Sequence, residues 1–228
     1  MPKRIRFHVG GPGFHPVAEQ ARQILEWLGP DYVGELVEDA AALENLDDVD
    51  LLVVMGLFWT GSPQAAFAGN PPYHPPSAAQ RAGFEAYVRS GRPVLAHHGG
   101  IASYDDWPGF GNLLGFAWIW GTTAHSELAD WRIETLDTGH PTVAGVPGFG
   151  IFDELYFDVK IAQGLNPAVH AEAEYEGRRL PMVMTAKGGR VEGAGKTMWL
   201  ANGHNMRAFE SPELKQIWIN SVRWLTQD

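Results

Sequence analysis

Four short, mainly apolar segments separated by helix-patterned or glycine-rich chain constrain this 228-residue sequence more than any other feature. They are Ile5–Val9, Asp50–Met55 (DLLVVM), Pro93–His97 (PVLAH) and Lys196–Ala201 (KTMWLA). The second is apolar enough to be buried on both faces, as happens when helices cover both sides of a parallel sheet. Between them, Val17, Ala21, Ile24, Leu25 and Leu28 repeat at helical spacing and predict an amphipathic helix over 16–28, with Pro16 at its first position. Tyr32 to Val37 reads as a further strand, and 78–90 as a helix with Phe84, Tyr87 and Val88 on one face. Strand–helix alternation of this kind specifies an α/β fold: a parallel sheet with helices on both faces.

After residue 115 the pattern changes. Stretches 115–120, 131–136, 149–159, 168–175 and 180–186 are short, β-like and divided by Gly or Pro, which predicts an antiparallel β extension. Ser211-Pro212-Glu213 caps a last helix, with Leu214, Ile217, Trp218, Val222 and Leu225 turned inward and packed back on the parallel sheet. Residues 56–77 are expected to form a long loop rich in Gly and Pro, including Gly61, Pro63, Gly69 and Pro71; loops of that length are usually functional or mobile. With no repeat and no linker, one domain over 1–228 is expected.

Composition narrows the function. The net charge is −10, with no basic run, which argues against nucleic acid and anionic membrane as partners. No run approaches the roughly 18 apolar residues of a membrane span, and the opening MPKRIRFHVG lacks an apolar stretch of signal-peptide length. The sequence has no cysteine, which removes disulfides, thiolate metal sites and any cysteine nucleophile, and suits the cytoplasm. A small molecule is the expected partner; a homo-oligomer is left open. The stretch GGPGFH after the first strand lacks the third glycine of a dinucleotide fingerprint, and neither a Walker motif nor a G-x-S-x-G elbow occurs.

In an open parallel sheet, ligands bind beyond the carboxyl ends of the strands. The strand ending at Val9 leads to His15, the one ending at Met55 to Phe58, Trp59 and Thr60, the one ending at His97 to His98-Gly99-Gly100, and the late strand to Asn202-Gly203-His204. Three separate histidines thus fall at one rim beside a tryptophan, so His15, His98 and His204 are expected to share a cleft. His97 alternates away from His98, and His8, His74 and His170 read as structural or solvated. Asp153-Glu154 is either a strand-edge solubilising pair or a general acid/base, and His140-Pro141 opens a turn whose role, structural or functional, stays open. Trp59, Trp118 and Trp120 are candidate flat platforms for sugar rings.

Three segments in this order and spacing resemble the ThuA-like (trehalose utilisation) family of the class I glutamine amidotransferase-like superfamily: VLAHHGGIASYDDW (94–107), GHPTVAGVPGF…DELYFDV (139–159) and GKTMWLANGHNMRAFESPELKQIWINSVRWL (195–225). The resemblance implies a flavodoxin-like sheet and a role in bacterial catabolism of sugars, often keto-sugars or disaccharides. His98, His140, Asp153, Glu154, Tyr156 and His204 fall on positions of the family pattern. Glutaminase members of the superfamily carry a cysteine on a strand-to-helix elbow. Here that stretch is Leu95-Ala96-His97-His98-Gly99-Gly100 in a cysteine-free chain, so glutaminase activity is excluded. Some relatives carry extra histidines after the third strand, where this chain has Met55-Gly56-Leu57-Phe58-Trp59, which counts against carrying over a metal site.

The expected function is therefore an isomerase, lyase or hydrolase acting on a sugar or keto-sugar by acid–base chemistry. His98 is the candidate base, Glu154 its partner, and His204 a third catalytic residue holding a substrate oxygen. His15, Asp153 and Tyr156 are candidate substrate contacts, with Trp59 covering the ring. No cofactor is certain. The alternatives are a metal-dependent hydrolase, with His15, His98 and His204 as ligands to a divalent ion such as zinc, and a non-catalytic sugar-binding module.

Overall fold

A computed structural model describes residues 1–61 and 72–227. In chain order the elements are β1 (Lys3–Val9), α1 (Val17–Leu28), β2 (Tyr32–Glu38), β3 (Leu51–Val54), α2 (Ala78–Arg89), β4 (Val94–His97), α3 (Pro108–Leu114), β5 (Phe116–Ala117), β6 (Ala124–His125), β7 (Ala129–Thr135), β8 (Phe149–Asp153), β9 (Tyr156–Phe157), β10 (Lys160–Ile161), β11 (Ala168–Tyr175), β12 (Arg178–Lys187), β13 (Lys196–Leu200) and α4 (Pro212–Thr226). Nine strands form one sheet in the order β2-β1-β3-β4-β13-β12-β11-β7-β8.

The first five strands of that order are parallel and the last four antiparallel, with β13 pairing parallel to β4 on one side and antiparallel to β12 on the other. All four expected apolar strands therefore lie in a single sheet. Every residue of β3 and β4 is buried, because helices cover both faces there. The crossover direction reverses between β1–β2 and β3–β4, and right-handed crossovers then place α1 and α2 on opposite faces. α1 packs on α4, and α2 packs on α3.

Local chemistry sets the ends. Ser77 and Gln80 form a reciprocal capping box at the start of α2. Ser211 accepts from the Leu214 amide, with Pro212 in the first turn of α4. In the antiparallel wing, β11 and β12 are joined by Glu176-Gly177, both at positive φ, which is the backbone a two-residue hairpin turn requires.

Two elements differ from the sequence expectation. The stretch 115–120 yields only the short β5, because Gly115 at φ +102° closes α3 on one side and the amides of Thr122 and Thr123 turn back to the Ile119 carbonyl on the other. The stretch 149–159 divides into β8 and β9, since Asp153 and Glu154 turn inward and end the ladder to β7. The expectations for Pro63, Gly69 and Pro71 lie outside the described residues.

Candidate functional site: three histidines and a glutamate at the sheet rim

Each of the three histidines sits where a strand ends and small residues let chains approach. His15 follows β1 through Gly10 and Gly11, both at positive φ; a side chain on Gly11 would meet the Leu57 carbonyl at 2.5 Å. His98 follows β4 with φ +43°, and a Cβ on Gly99 or Gly100 would strike His15 or the Val54 carbonyl. His204 follows β13 in the turn Asn202-Gly203-His204. That turn is pinned from both sides, since Gln20 donates to the Gly203 carbonyl at 2.8 Å and His97 Nε2 to the Asn202 carbonyl at 3.0 Å.

These side chains converge. His15 Nε2 lies 3.1 Å from His204 Nδ1, and His98 Nε2 lies 3.4 Å from the same atom. Glu154 Oε1 is 3.2 Å from both His98 Nε2 and His204 Nδ1. One ligand-type atom from each of the four falls within 4.8 Å of all the others. For comparison, donors about 2.0–2.1 Å from a tetrahedral ion stand about 3.4 Å apart. The four could hold a divalent metal.

Surrounding groups fix the orientations. His98 Nδ1 lies 2.6 Å from the Ala201 carbonyl, which can only accept, so Nδ1 carries hydrogen and Nε2 faces the cluster. Asp153 is fully buried and accepts from the amides of Glu154, Gly203 and His204 and from Asn202 Nδ2, at 2.7–3.2 Å. It therefore sets the position of Glu154 and His204 together. The Tyr156 hydroxyl is 3.2 Å from His98 Nε2.

Electrostatics follow from burial and pairing. Burial, with the neighbouring histidines, holds His15 well below the usual imidazole pKa, so it is neutral. Burial also depresses His98, but the Glu154 carboxylate outweighs it and leaves the pKa raised. Glu154 is opposed by burial yet held far below the ordinary carboxylate range by hydrogen bonds from His204 and His98. Burial and the two carboxylates raise Tyr156, so its phenol stays a proton donor.

Two expected contacts are placed differently. Asp153 has no surface for a substrate, because its oxygens are engaged by the four donors above. Trp59 is 3% exposed, sunk in a small cluster with Leu57 and Ala102, and stacks against Trp120. His140 caps a turn and stacks on His170 at 4.1 Å within the antiparallel wing, apart from the cluster. His125 was not singled out from the sequence. Its Nδ1 is 3.1 Å from Glu154 Oε2, and half of its side chain is exposed. The pairing of β6 with β9, which sets His125 opposite Tyr156, puts it there. A cavity of about 590 Å³ at the opposite end of the parallel strands, lined by Lys3, Asp50, Arg92 and Lys196, contains none of these groups.

The family profile described as trehalose utilisation, ThuA, matches residues 15–225. The chain belongs to the ThuA family. Its match reaches from the first cluster histidine into the last turn of α4, so it takes in all four cluster residues. No curated protein matches the sequence. Among solved structures, a ThuA-like protein from Parabacteroides merdae superposes with a TM-score of 0.77 at 16% identity, covering 100% of this chain and 91% of that one. A second ThuA-like protein, from Bacteroides uniformis, gives 0.71 at 16% identity over 98% and 91%. A β-galactosidase from Rahnella sp. R3 gives 0.61 at 13% identity over 98% of this chain and 31% of its own. At these identities the likeness is one of fold. Membership of the ThuA family relates the chain broadly to carbohydrate metabolism. Among the described residues, no helix is long and apolar enough to cross a membrane.

Proposed function

We propose that this chain is an enzyme acting on a sugar or keto-sugar at a divalent-metal centre held by His15, His98, His204 and Glu154. The observation that carries the reading is His204 Nδ1. That atom offers one hydrogen or one lone pair, yet three ligand-type atoms, His15 Nε2, His98 Nε2 and Glu154 Oε1, lie 3.1–3.4 Å from it. Hydrogen bonding can satisfy one of the three contacts; a shared cation satisfies all of them. Three imidazole nitrogens and a carboxylate suit zinc, and the carbonyl bond at His98 Nδ1 is the kind of outer contact that orients a metal-bound histidine.

A bound divalent ion would polarise a substrate oxygen or acidify a water. Around it, Tyr156 supplies a hydrogen-bond donor, and Glu154 Oε2, facing His125, is the carboxylate oxygen placed to move a proton. Isomerase, lyase and hydrolase chemistry all use such a base–donor pair. Glutaminase chemistry is excluded by the lack of cysteine. The setting we assign is cytoplasmic sugar catabolism.

A metal-free acid–base enzyme is the second reading, favoured by one observation. His98 and Glu154 form a buried pair in which the imidazole pKa is raised and the carboxylate lowered.

Elemental analysis of protein purified without chelator, joined to a turnover screen of sugars, tests both. The metal reading expects about one divalent ion per chain, lost in His98→Ala. His98→Ala and Glu154→Gln should each lower turnover by about 10²–10⁴-fold. A metal-free protein that turns over sugar leaves only the acid–base reading. Unchanged turnover in both variants removes the pair from the mechanism.

A further inference from the structure

We propose that His125 is a positioning residue of the histidine–glutamate centre. Through its Nδ1–H it keeps Glu154 Oε2 off the bound ion, so that one coordination position stays open for a substrate oxygen. This rests on the metal reading above and names the side chain that keeps the centre open to a ligand.

The neighbours of His125 fix its tautomer. Its Nδ1 lies 2.7 Å from the Ser126 carbonyl, which can only accept, so Nδ1 carries the hydrogen. The same atom is 3.1 Å from Glu154 Oε2, a second acceptor. One N–H thus faces two oxygens and ties the carboxylate to the backbone just after β6. That backbone is itself held. The Ser126 amide donates to the Leu155 carbonyl at 2.9 Å, and the Leu155 amide donates back to the buried Ser126 hydroxyl at 2.9 Å. The residues that follow His125 and Glu154 are therefore locked to each other, and the pairing of β6 with β9 sets His125 opposite Tyr156.

The two oxygens of Glu154 are divided between these neighbours. Oε1 is 3.2 Å from both His98 Nε2 and His204 Nδ1, on the side of the imidazoles. Oε2 is turned to His125. A carboxylate can bind an ion through one oxygen or both. With Oε1 alone, three histidines and one oxygen make four ligands, and zinc can expand to five as a substrate enters. With both oxygens on the ion, the protein itself would fill the fifth place. The N–H on Oε2 selects the first arrangement, in the way that outer contacts orient metal ligands. The open place also has an approach: Glu154, His15 and His98 are buried, whereas half of the His125 side chain lies in solvent.

The test loads the whole chain with cobalt(II), whose visible absorption is intense with four ligands and weak with more, and then adds azide, a small anion that occupies one coordination position. Wild type is expected to show intense bands that azide shifts. His125→Leu keeps the bulk of the side chain and removes the N–H; its bands should be weak, and azide should no longer shift them. His125→Asn puts an amide N–H where Nδ1 stands and should return both readings to those of wild type. The half-exposed side chain lets either substitution be made without opening the core. Bands in His125→Leu that stay intense or still answer azide overturn the positioning role and leave the metal reading intact. So does a His125→Asn protein that behaves like His125→Leu, or a cobalt-loaded wild type that ignores azide. A wild type that takes up no cobalt overturns the metal reading, and this inference with it.

Discussion

Replacing Asp153 by Asn keeps the shape of the side chain and changes one oxygen into an amino group. In the structure Oδ2 accepts from the Gly203 amide at 2.7 Å and Asn202 Nδ2 at 3.2 Å, while Oδ1 accepts from the Glu154 amide at 2.9 Å and the His204 amide at 3.1 Å. Whichever way the amide turns, two N–H donors then face an NH2 group. Hydrogen bonds to a charged acceptor contribute about 1.5–3 kcal/mol each, so the gross loss is about 3–6 kcal/mol. Part is returned, because burial disfavours the Asp153 charge and raises its pKa. A net destabilisation of about 2–4 kcal/mol remains. With a urea dependence of about 3 kcal/mol per molar, the unfolding midpoint should fall by roughly 1 M. The assay is urea denaturation followed by tryptophan fluorescence in the presence of a chelator, so that no metal contributes. A second measurement, zinc affinity by competition with a chromophoric chelator, should show a loss of about 10–100-fold, because His204 and Glu154 both lose their anchor. A midpoint within about 0.3 M of wild type would refute the claim that the four bonds hold the turn. Unchanged zinc affinity in a destabilised protein would refute the positioning role alone.

Two further predictions concern stability. His8 is fully buried and burial lowers its pKa to about 3, whereas the unfolded chain titrates it near 6.5. The unfolded state therefore takes up the proton first as pH falls, and stability present above pH 6.5 is lost toward pH 3, by about 2 kcal/mol at pH 5; urea midpoints at the two pH values should show a shallower pH dependence in His8→Gln, and an equal one would reject the assignment. Ser211→Ala removes the acceptor for the Leu214 amide at the start of α4 and should cost about 1 kcal/mol, read as a lowered midpoint with the folded-state spectrum unchanged.

The centre of the parallel half was legible because β3 and β4 are buried on both faces and so carry apolar runs; β3, with Leu51, Leu52, Val53 and Val54, is the clearest. The same regularity made His15, His98 and His204 legible, since the carboxyl end of a strand marks a place in space as well as in sequence. Glu154 was legible only as half of the acidic pair Asp153-Glu154, whose two possible roles the sequence left open. His125 had no such mark: it reaches Glu154 across an antiparallel pair of two-residue strands, too short to leave a periodic pattern. Of the tryptophans read together as candidate platforms, Trp59 is buried and Trp120 exposed. Loop composition says nothing about which of two stacked rings faces out. Asp153 and Glu154 illustrate a finer limit: adjacent carboxylates have opposite duties, one holding backbone amides and one facing the histidines, and only the turn that ends β8 separates them.

Because β13 is parallel on one side and antiparallel on the other, the cluster draws on both kinds of architecture. His15, His98 and His204 belong to the parallel half, and Glu154 arrives from the far wing. The contacting residues are as much as 189 positions apart in the chain. No early, locally folded fragment can own this centre; it comes into being only when the two ends of the polypeptide and the wing have docked. Whatever binds all four side chains would then act as a clasp, opposing every partial unfolding that peels the wing, the first helix or the last helix away. Protease resistance of the whole chain, and not of one segment, would rise together when the clasp is closed.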